Sequence, residues 1–416
     1  MGGISAYAYL KQNGFENDSQ KLQRIFTLTG LNVKHNGKTY TTELIRKREY
    51  DWGIEYVYRI PEGRSFKDYE EKLQVIQDGL NNRKKKVTVK SLLKRDKLTK
   101  GSREVEMSYD GMLRIKVYHT QFATEVPYIT EELSGWRVPL GVKRDGKDSY
   151  LDFELTPHVG LGGATRYGKS NLLNSIIISL LHNQARNVEF TFIDLKGGVE
   201  LCDYECLHQT KSIAYEPEEA LQSLRKAYEG MRKVQEELKE KGKKKVQDAG
   251  IYKRHFIVID EVGELNPAEA TDKVDKKLKE ECQRYMSQIA RLGAGLGYRL
   301  IVATQYPTGD VIPRAVKQNC DVKICFRVRN ATASQVVLDE GGAEKLPAIK
   351  GRAIVQLADK REVLQTYFIN SEVIEQVSAP YIGDISKREV IDNEDESLDS
   401  ETGANTFVIE ETDFSN

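Results

Sequence analysis

Gly163 to Ser170 read GATRYGKS, which matches G-x-x-x-x-G-K-S, the spacing of a loop that wraps nucleotide phosphates. Gly163 and Gly168 let the backbone turn so that successive N–H groups point inward. Lys169 supplies a cation for the β- and γ-phosphates of ATP, and Ser170 offers a hydroxyl to Mg²⁺. Ala164, Thr165, Arg166 and Tyr167 complete the span and Asn171 follows it, so residues 163–171 form the candidate nucleotide-binding segment. Two further stretches carry matching chemistry. His255–Leu265, HFIVIDEVGEL, is an apolar run ending in adjacent carboxylates, the pattern of a Walker B strand. Asp260 at its end can hold Mg²⁺ water, and Glu261, one residue on, can activate the attacking water. Arg299–Gln305, RLIVATQ, is a second apolar run ending in an amide, and Gln305 could sense the γ-phosphate.

These residues need elements to hold them. Leu172, Leu173, Ile176, Ile177, Leu180 and Leu181 fall at helical spacing, so a helix should begin at the phosphate loop and aim its N-terminus at the anion. Leu151–Leu155 is expected as the strand leading into the motor core, and Val188–Leu195, ending near Asp194, as a neighbouring core strand. Helices are expected over Pro217 to about Lys241, over Lys276–Leu292 and over Ser334–Leu338. Strands are expected at Val322–Val328 and Arg352–Leu357. This alternation implies an α/β fold of parallel βαβ units with ligands at the strands' carboxyl ends.

The first segment reads as α+β. Gly53–Ile60 alternates as a half-buried strand, and Ser65 can cap a helix presenting Phe66, Tyr69, Leu73, Ile76 and Leu80 on one face. Met107–Tyr118 should be a hairpin around Asp110-Gly111. The basic run Arg83–Lys100 could track DNA phosphates, although runs of lysine are commonly solvated surface. From about Ile382 the chain turns to Asp, Glu, Ser and Asn, the composition of a disordered tail. Three regions result: an α+β domain at 1–139, a motor domain at 140–370 and an acidic tail at 371–416.

Composition limits the alternatives. Lys+Arg and Asp+Glu are 63 each in 416 residues, so no global positive field advertises nucleic acid and such binding must come from local patches. Five cysteines without zinc-ribbon spacing and six scattered histidines argue against a disulfide framework or a metalloenzyme. No apolar stretch reaches the roughly eighteen residues of a spanning helix and no signal peptide is evident, so the chain is expected in the cytoplasm.

With the motifs laid out, the stretch from Thr156 to Leu357 resembles the FtsK/SpoIIIE-type DNA translocases, most closely those of Gram-positive conjugative elements. The likeness rests on GGATRYGKSNLLN, FIDLKGGVEL, FIVIDEVGEL, IARLGAGLGYRLIVATQYPTGDVIP and VVLDEGGAEKLPAIKGRAIV, in the family's order and spacing. The resemblance implies a RecA-like P-loop NTPase core in a homo-hexameric ring, with ATP bound between subunits and double-stranded DNA of any sequence pumped through the centre. It implies service in conjugative transfer or plasmid maintenance, with a possible membrane or relaxase partner. It also places Lys169 and Ser170 on the phosphates and Mg²⁺, Asp260 on Mg²⁺, Glu261 as base and Gln305 as sensor. The sequence departs from the family where an arginine and a lysine usually stand: Ala294 and Ala331 occupy those positions. Arg291, one helical turn before Ala294, is the first substitute for the trans-acting cation, and Arg329 the second. A viral genome-packaging ATPase and a non-translocating nucleotide-dependent recruitment switch are the alternative functions.

Overall fold

The structure is a computed structural model that describes residues 17–81, 103–305, 311–357 and 360–383. The basic run at 83–100 and the acidic tail beyond 383 lie outside these residues. The chain forms two compact units, one of Met1–Val126, Gly141–Ser149 and Val363–Gln365, the other of Pro127–Leu140, Tyr150–Glu362 and Thr366–Asn416. The boundaries expected at 139/140 and 370/371 are therefore displaced, for local reasons. Arg144 lies 4.1 Å over the Tyr118 ring and pairs with Glu104 at 3.0 Å, which ties 141–149 to the smaller unit. Tyr128 donates its N–H to the Phe368 carbonyl at 2.8 Å, and its hydroxyl bonds Ser179 Oγ at 2.7 Å within the larger one. Part of the expected tail is a helix, Ser371–Ser378, with Asn370 accepting from the Val373 N–H as its N-cap.

In the smaller unit, α1 (Asp18–Leu28), β1 (Glu43–Tyr50), β2 (Gly53–Arg59), α2 (Phe66–Glu70), α3 (Leu73–Asn81), β3 (Val105–Tyr109) and β4 (Leu113–Tyr118) follow one another. The strands form an antiparallel sheet in the order β1-β2-β4-β3. The α+β expectation is met. Tyr56, Tyr58, Leu113, Ile115 and Val117 on one face pack with Leu22, Phe26, Ile76 and Leu80 of the helices. The single helix expected after Ser65 is two, α2 and α3, yet the apolar stripe survives the break, with Tyr69, Ile76 and Leu80 fully buried. The Asp110-Gly111 hairpin is present, with Gly111 at φ +90°.

The larger unit contains β5 (His158–Gly162), α4 (Lys169–Gln184), β6 (Val188–Asp194), β7 (Thr210–Ala214), α5 (Pro217–Glu240), β8 (Arg254–Asp260), α6 (Lys273–Leu296), β9 (Tyr298–Thr304), α7 (Arg314–Asn319), β10 (Val322–Phe326), α8 (Ala331–Leu338) and β11 (Arg352–Gln356). These strands run in the order β7-β6-β8-β9-β5-β10-β11. From β7 to β10 every neighbour is parallel. β11 departs from the expected parallel alternation and pairs antiparallel with β10. The Gly351 N–H donates to the Tyr167 carbonyl at 2.9 Å, so β11 starts beside the phosphate loop, at the edge where β10 ends, and must run the opposite way. The expected strand Leu151–Leu155 also shifts. The strand is Asp148–Asp152, and Asp152 then accepts from the Glu154 and Thr156 N–H groups at 2.9 Å each, a turn that leaves β5 to feed the loop.

Glu154, leaving that turn, anchors the opposite edge of the sheet. It accepts from Arg254 Nε at 2.7 Å, Arg299 at 3.0 Å and Gln247 at 2.6 Å, while Arg254 and Arg299 are 4% and 0% exposed. Burial pushes the Glu154 carboxyl up, but the bonds from Arg254 and Gln247 and the charges of Arg254 and Arg299 outweigh it and hold the pKa at about 2. A carboxyl held below its unfolded value gives stability that is present above about pH 4.5 and is lost as pH falls toward 2. Glu154→Gln is expected to cost on the order of 3 kcal/mol at pH 7, since it strands two buried guanidiniums. Urea unfolding of the full chain should show the gap between wild type and variant shrinking from pH 6 to pH 3, and a pH-independent gap would refute the linkage.

Candidate active site

The parallel register decides what meets what. Gly162 pairs with Thr304 and Asp194 with Asp260, so the ends of β5, β9, β6 and β8 lie on one edge of the sheet. The phosphate loop leaves β5 at this edge through close backbone approaches. A Cβ on Gly163 would sit 2.7 Å from Phe326 Cβ, and one on Gly168, which has φ +112° and caps α4, would sit 3.1 Å from the Gly351 nitrogen. Ala164 donates its N–H to the Arg327 carbonyl at 3.0 Å, Arg166 has left-handed φ +74° with its side chain exposed, and Tyr167 is fixed through Gly351. The expected helix is α4, with Leu172, Leu173, Ile176, Ile177, Leu180 and Leu181 all buried.

Lys169 and Asp260 form a buried ion pair at the base of this loop, with side chains 3% and 0% exposed. Asp260 Oδ1 takes the ammonium, while Oδ2 is buried with no hydrogen-bond partner. A buried carboxylate oxygen without a donor is costly unless a cation satisfies it. With the Ser170 hydroxyl in the first turn of α4, this orphaned oxygen fits the ligand set of a Mg²⁺ that arrives with a nucleotide.

Glu261 follows Asp260 in left-handed backbone at φ +64°, ψ +64°, rare for a non-glycine residue and a common feature of functional turns. The turn swings its carboxylate inward to 3% exposure. Oε1 accepts from Thr304 Oγ at 2.7 Å, Oε2 accepts from the Gln305 N–H at 2.9 Å, and the Lys196 ammonium pairs with Oε2 at 3.1 Å. Gln305 in turn accepts from Thr165 Oγ at 3.0 Å, which links the end of β9 to the phosphate loop. Lys169, Asp260, Glu261, Gln305 and Thr165 are thus brought together, with the backbone of 163–168 around them. The arrangement has the parts of a phosphoryl-transfer site: a loop of N–H groups, a cation, an acidic metal ligand, a second carboxylate and an amide.

Two residues stand apart. Asn171 lies in the first turn of α4, and its side-chain amide donates to the Ile369 carbonyl at 2.7 Å and accepts from the Ile369 N–H at 3.2 Å, which ties the helix start to the chain after β11. Arg291 is on the exposed side of α6 near its C-terminal end, which leads to the beginning of β9 and hence to the edge away from the phosphate loop. Ala294 is on the same helix, which runs past its expected end at Leu292 to Leu296. Arg329 lies in the turn before α8, where no periodicity relates it to Ala331.

The expectations missed Lys196 and Thr304 as partners of Glu261. Lys196 sits in the DLKGG stretch, already notable for its glycines. Its signal was available from topology: β6 and β8 are parallel neighbours, so residues just beyond their ends must meet.

Comparison with known proteins agrees with this geometry. Residues 124–265 match the model of the FtsK/SpoIIIE family. The DNA translocase FtsK of Bacillus cereus is 28% identical over 288 residues, covering 62% of this chain and 35% of that protein. FtsK of Leptospira interrogans is 31% identical over 57% of this chain and 26% of its own length. SpoIIIE of Bacillus subtilis is 28% identical over 58% and 32%. The chain therefore spans about a third of the length of these relatives. Among solved structures, the pCW3 conjugation coupling protein TcpA, a monomer with ATPγS, has TM-score 0.59 at 22% identity over 87% of this chain and 99% of that one. The cytoplasmic domain of the Thermomonospora curvata type VII secretion ATPase EccC has TM-score 0.52 at 24% identity over 64% of this chain and 34% of that one. These likenesses establish the fold, an α/β core with a mostly parallel sheet shared with ATPases. Among the described residues, no helix is long and apolar enough to cross a membrane.

Proposed function

We infer that this chain, which carries an FtsK/SpoIIIE-type domain, is an ATP-driven motor on double-stranded DNA and that it serves a mobile element, in conjugative transfer or plasmid maintenance. The observation that carries the motor reading is the convergence of Lys169, Asp260, Glu261, Gln305 and Thr165 on one sheet edge. The DNA reading is supported by relatives named as DNA translocases, and the mobile-element reading by the fold shared with a conjugation coupling protein across nearly the whole of both chains.

Lys169 is placed to exchange Asp260 for the β- and γ-phosphates when ATP enters, which would leave the Asp260 carboxylate, with the Ser170 hydroxyl, to hold Mg²⁺. Bound there, Mg²⁺ neutralises charge developing on the phosphate oxygens. Glu261 orients and deprotonates the attacking water, and Gln305, wired to Thr165 and to Glu261, reads the γ-phosphate. Arg291 acts across a subunit boundary in a hexameric ring. Its guanidinium is exposed, its Nε donates to the Ser287 carbonyl of its own helix at 3.2 Å, and no carboxylate pairs with it among the described residues.

Duplex DNA of any sequence is expected to stimulate ATP turnover, with binding that weakens linearly in log K against log salt as phosphate contacts release counterions. The test is steady-state hydrolysis with unrelated duplexes across a salt series. A requirement for one sequence, or indifference to salt, would defeat the reading of a channel that grips the DNA backbone.

A further inference from the structure

The Lys196 ammonium occupies a place beside Glu261 that the proposed reaction needs for water. A carboxylate offers about four acceptor directions. In Glu261 two are filled by hydrogen bonds from Thr304 Oγ and the Gln305 N–H, the Lys196 ammonium stands 3.1 Å from Oε2 as an ion pair, and the group is 3% exposed. Thr304 ends a buried strand and Gln305 follows it directly. Lys196 belongs to the loop after β6, its side chain is 24% exposed, and it is the one movable partner of the three.

The loop is built to move between fixed ends. The Asp194 carboxylate, 0% exposed, accepts from the N–H groups of Lys196 at 3.3 Å and of Glu200 and Leu201 at 2.9 Å each, pinning both limbs. Between them Gly197 and Gly198 take φ +73° and +70°, successive left-handed residues that can exchange conformations at little cost, and the next side chain, Val199, is 75% exposed. A push on this exposed turn would draw Lys196 off Glu261 without disturbing either strand.

We propose that Lys196 is a positioning residue that holds Glu261 out of action in the resting motor, and that DNA engagement releases it. The proposal rests on the reading of Glu261 as the base. Lys196→Met should raise DNA-free kcat at least about fivefold, the low end of a typical coupling between two sites, with KM and nucleotide affinity unchanged. The ratio of DNA-stimulated to basal turnover should fall by the same factor, because the restraint is already gone. Lys196→Gln, which keeps length and a weaker donor, should fall between the two and guards against a misfolded Met variant.

The experiment is steady-state turnover of the full chain with and without duplex DNA, alongside binding of a fluorescent ATP analogue. An unchanged or lowered basal kcat in both Lys196 variants, with analogue binding intact, overturns the proposal. Pairing Lys196→Met with Glu261→Gln separates the premises: the double variant should be as slow as Glu261→Gln alone. If instead Glu261→Gln by itself hydrolyses ATP normally, the base assignment fails first and the restraint falls with it.

Discussion

Glu261→Gln is expected to lower DNA-stimulated ATP turnover by about 10²–10⁴ while retaining nucleotide binding, because a general base contributes about that much and the amide cannot take the proton. The structure makes this a clean substitution. The amide oxygen can still accept from Thr304 Oγ, and the contacts of Oε2 with the Gln305 N–H and Lys196 are the ones lost, a local cost of about 1–3 kcal/mol. Nothing in the phosphate loop touches this carboxylate directly, so the binding surface of 163–170 should persist. Lys169→Ala behaves differently on two counts. It removes the cation for the phosphates, so nucleotide binding or turnover is abolished, and it strands Asp260, fully buried with one oxygen already unpartnered. The pair of variants is read by analogue binding, kcat and thermal unfolding together: Glu261→Gln should bind, stay folded and stall, and Lys169→Ala should fail to bind and unfold earlier. Turnover of Glu261→Gln within a few fold of wild type would remove it from the base role.

How much of this was legible in the sequence follows the range of each interaction. The phosphate loop and α4 are local, and the glycine spacing and apolar stripe of 163–181 announce them. Asp260, Glu261 and Gln305 are also legible one at a time, since each sits at or just past the end of a buried strand. Their convergence depends on strand order, and only the parallel βαβ rule supplies that. Lys196 shows the limit. Its lysine is ordinary in a chain with 63 basic residues, and it gains meaning only when β6 and β8 are neighbours in a register that pairs Asp194 with Asp260. Asn171 shows a long-range partner the motif does not announce: its amide bonds the backbone at Ile369, 198 residues distant along the chain. The antiparallel β11 and the return of 141–149 to the smaller unit escaped for the same reason. Alternation of helix and strand tells which elements exist, whereas the direction of the last strand is fixed by where its first residues bond, at the Tyr167 carbonyl.

Arg291→Ala is expected to lower DNA-stimulated kcat by about 10³–10⁵, the contribution of a finger that meets charge building on the γ-phosphoryl oxygens. The argument is one of supply. By the family resemblance, Ala294 and Ala331 occupy positions expected to carry cations, and neither can donate. Lys169 is the cation of the loop itself. Arg291 lies on α6, three residues before Ala294 and therefore close to it on the helix surface, with an exposed guanidinium held by its own helix. Its place toward the edge of the sheet away from its own phosphate loop directs it, in the proposed ring, to a neighbouring subunit's site and not its own. That geometry yields a sharper test than loss of activity, which a folding defect could mimic. Subunits carrying Arg291→Ala and subunits carrying Lys169→Ala should each be inactive alone. Mixed, they form some boundaries that pair an intact loop with an intact arginine, so turnover should reappear and pass through a maximum as the ratio is varied. A pair of defects confined to one subunit's own site could never complement in this way. Absence of recovery across all ratios, with assembly confirmed by sedimentation, sinks the assignment, and so does full activity of Arg291→Ala by itself, which would move the search to Arg329.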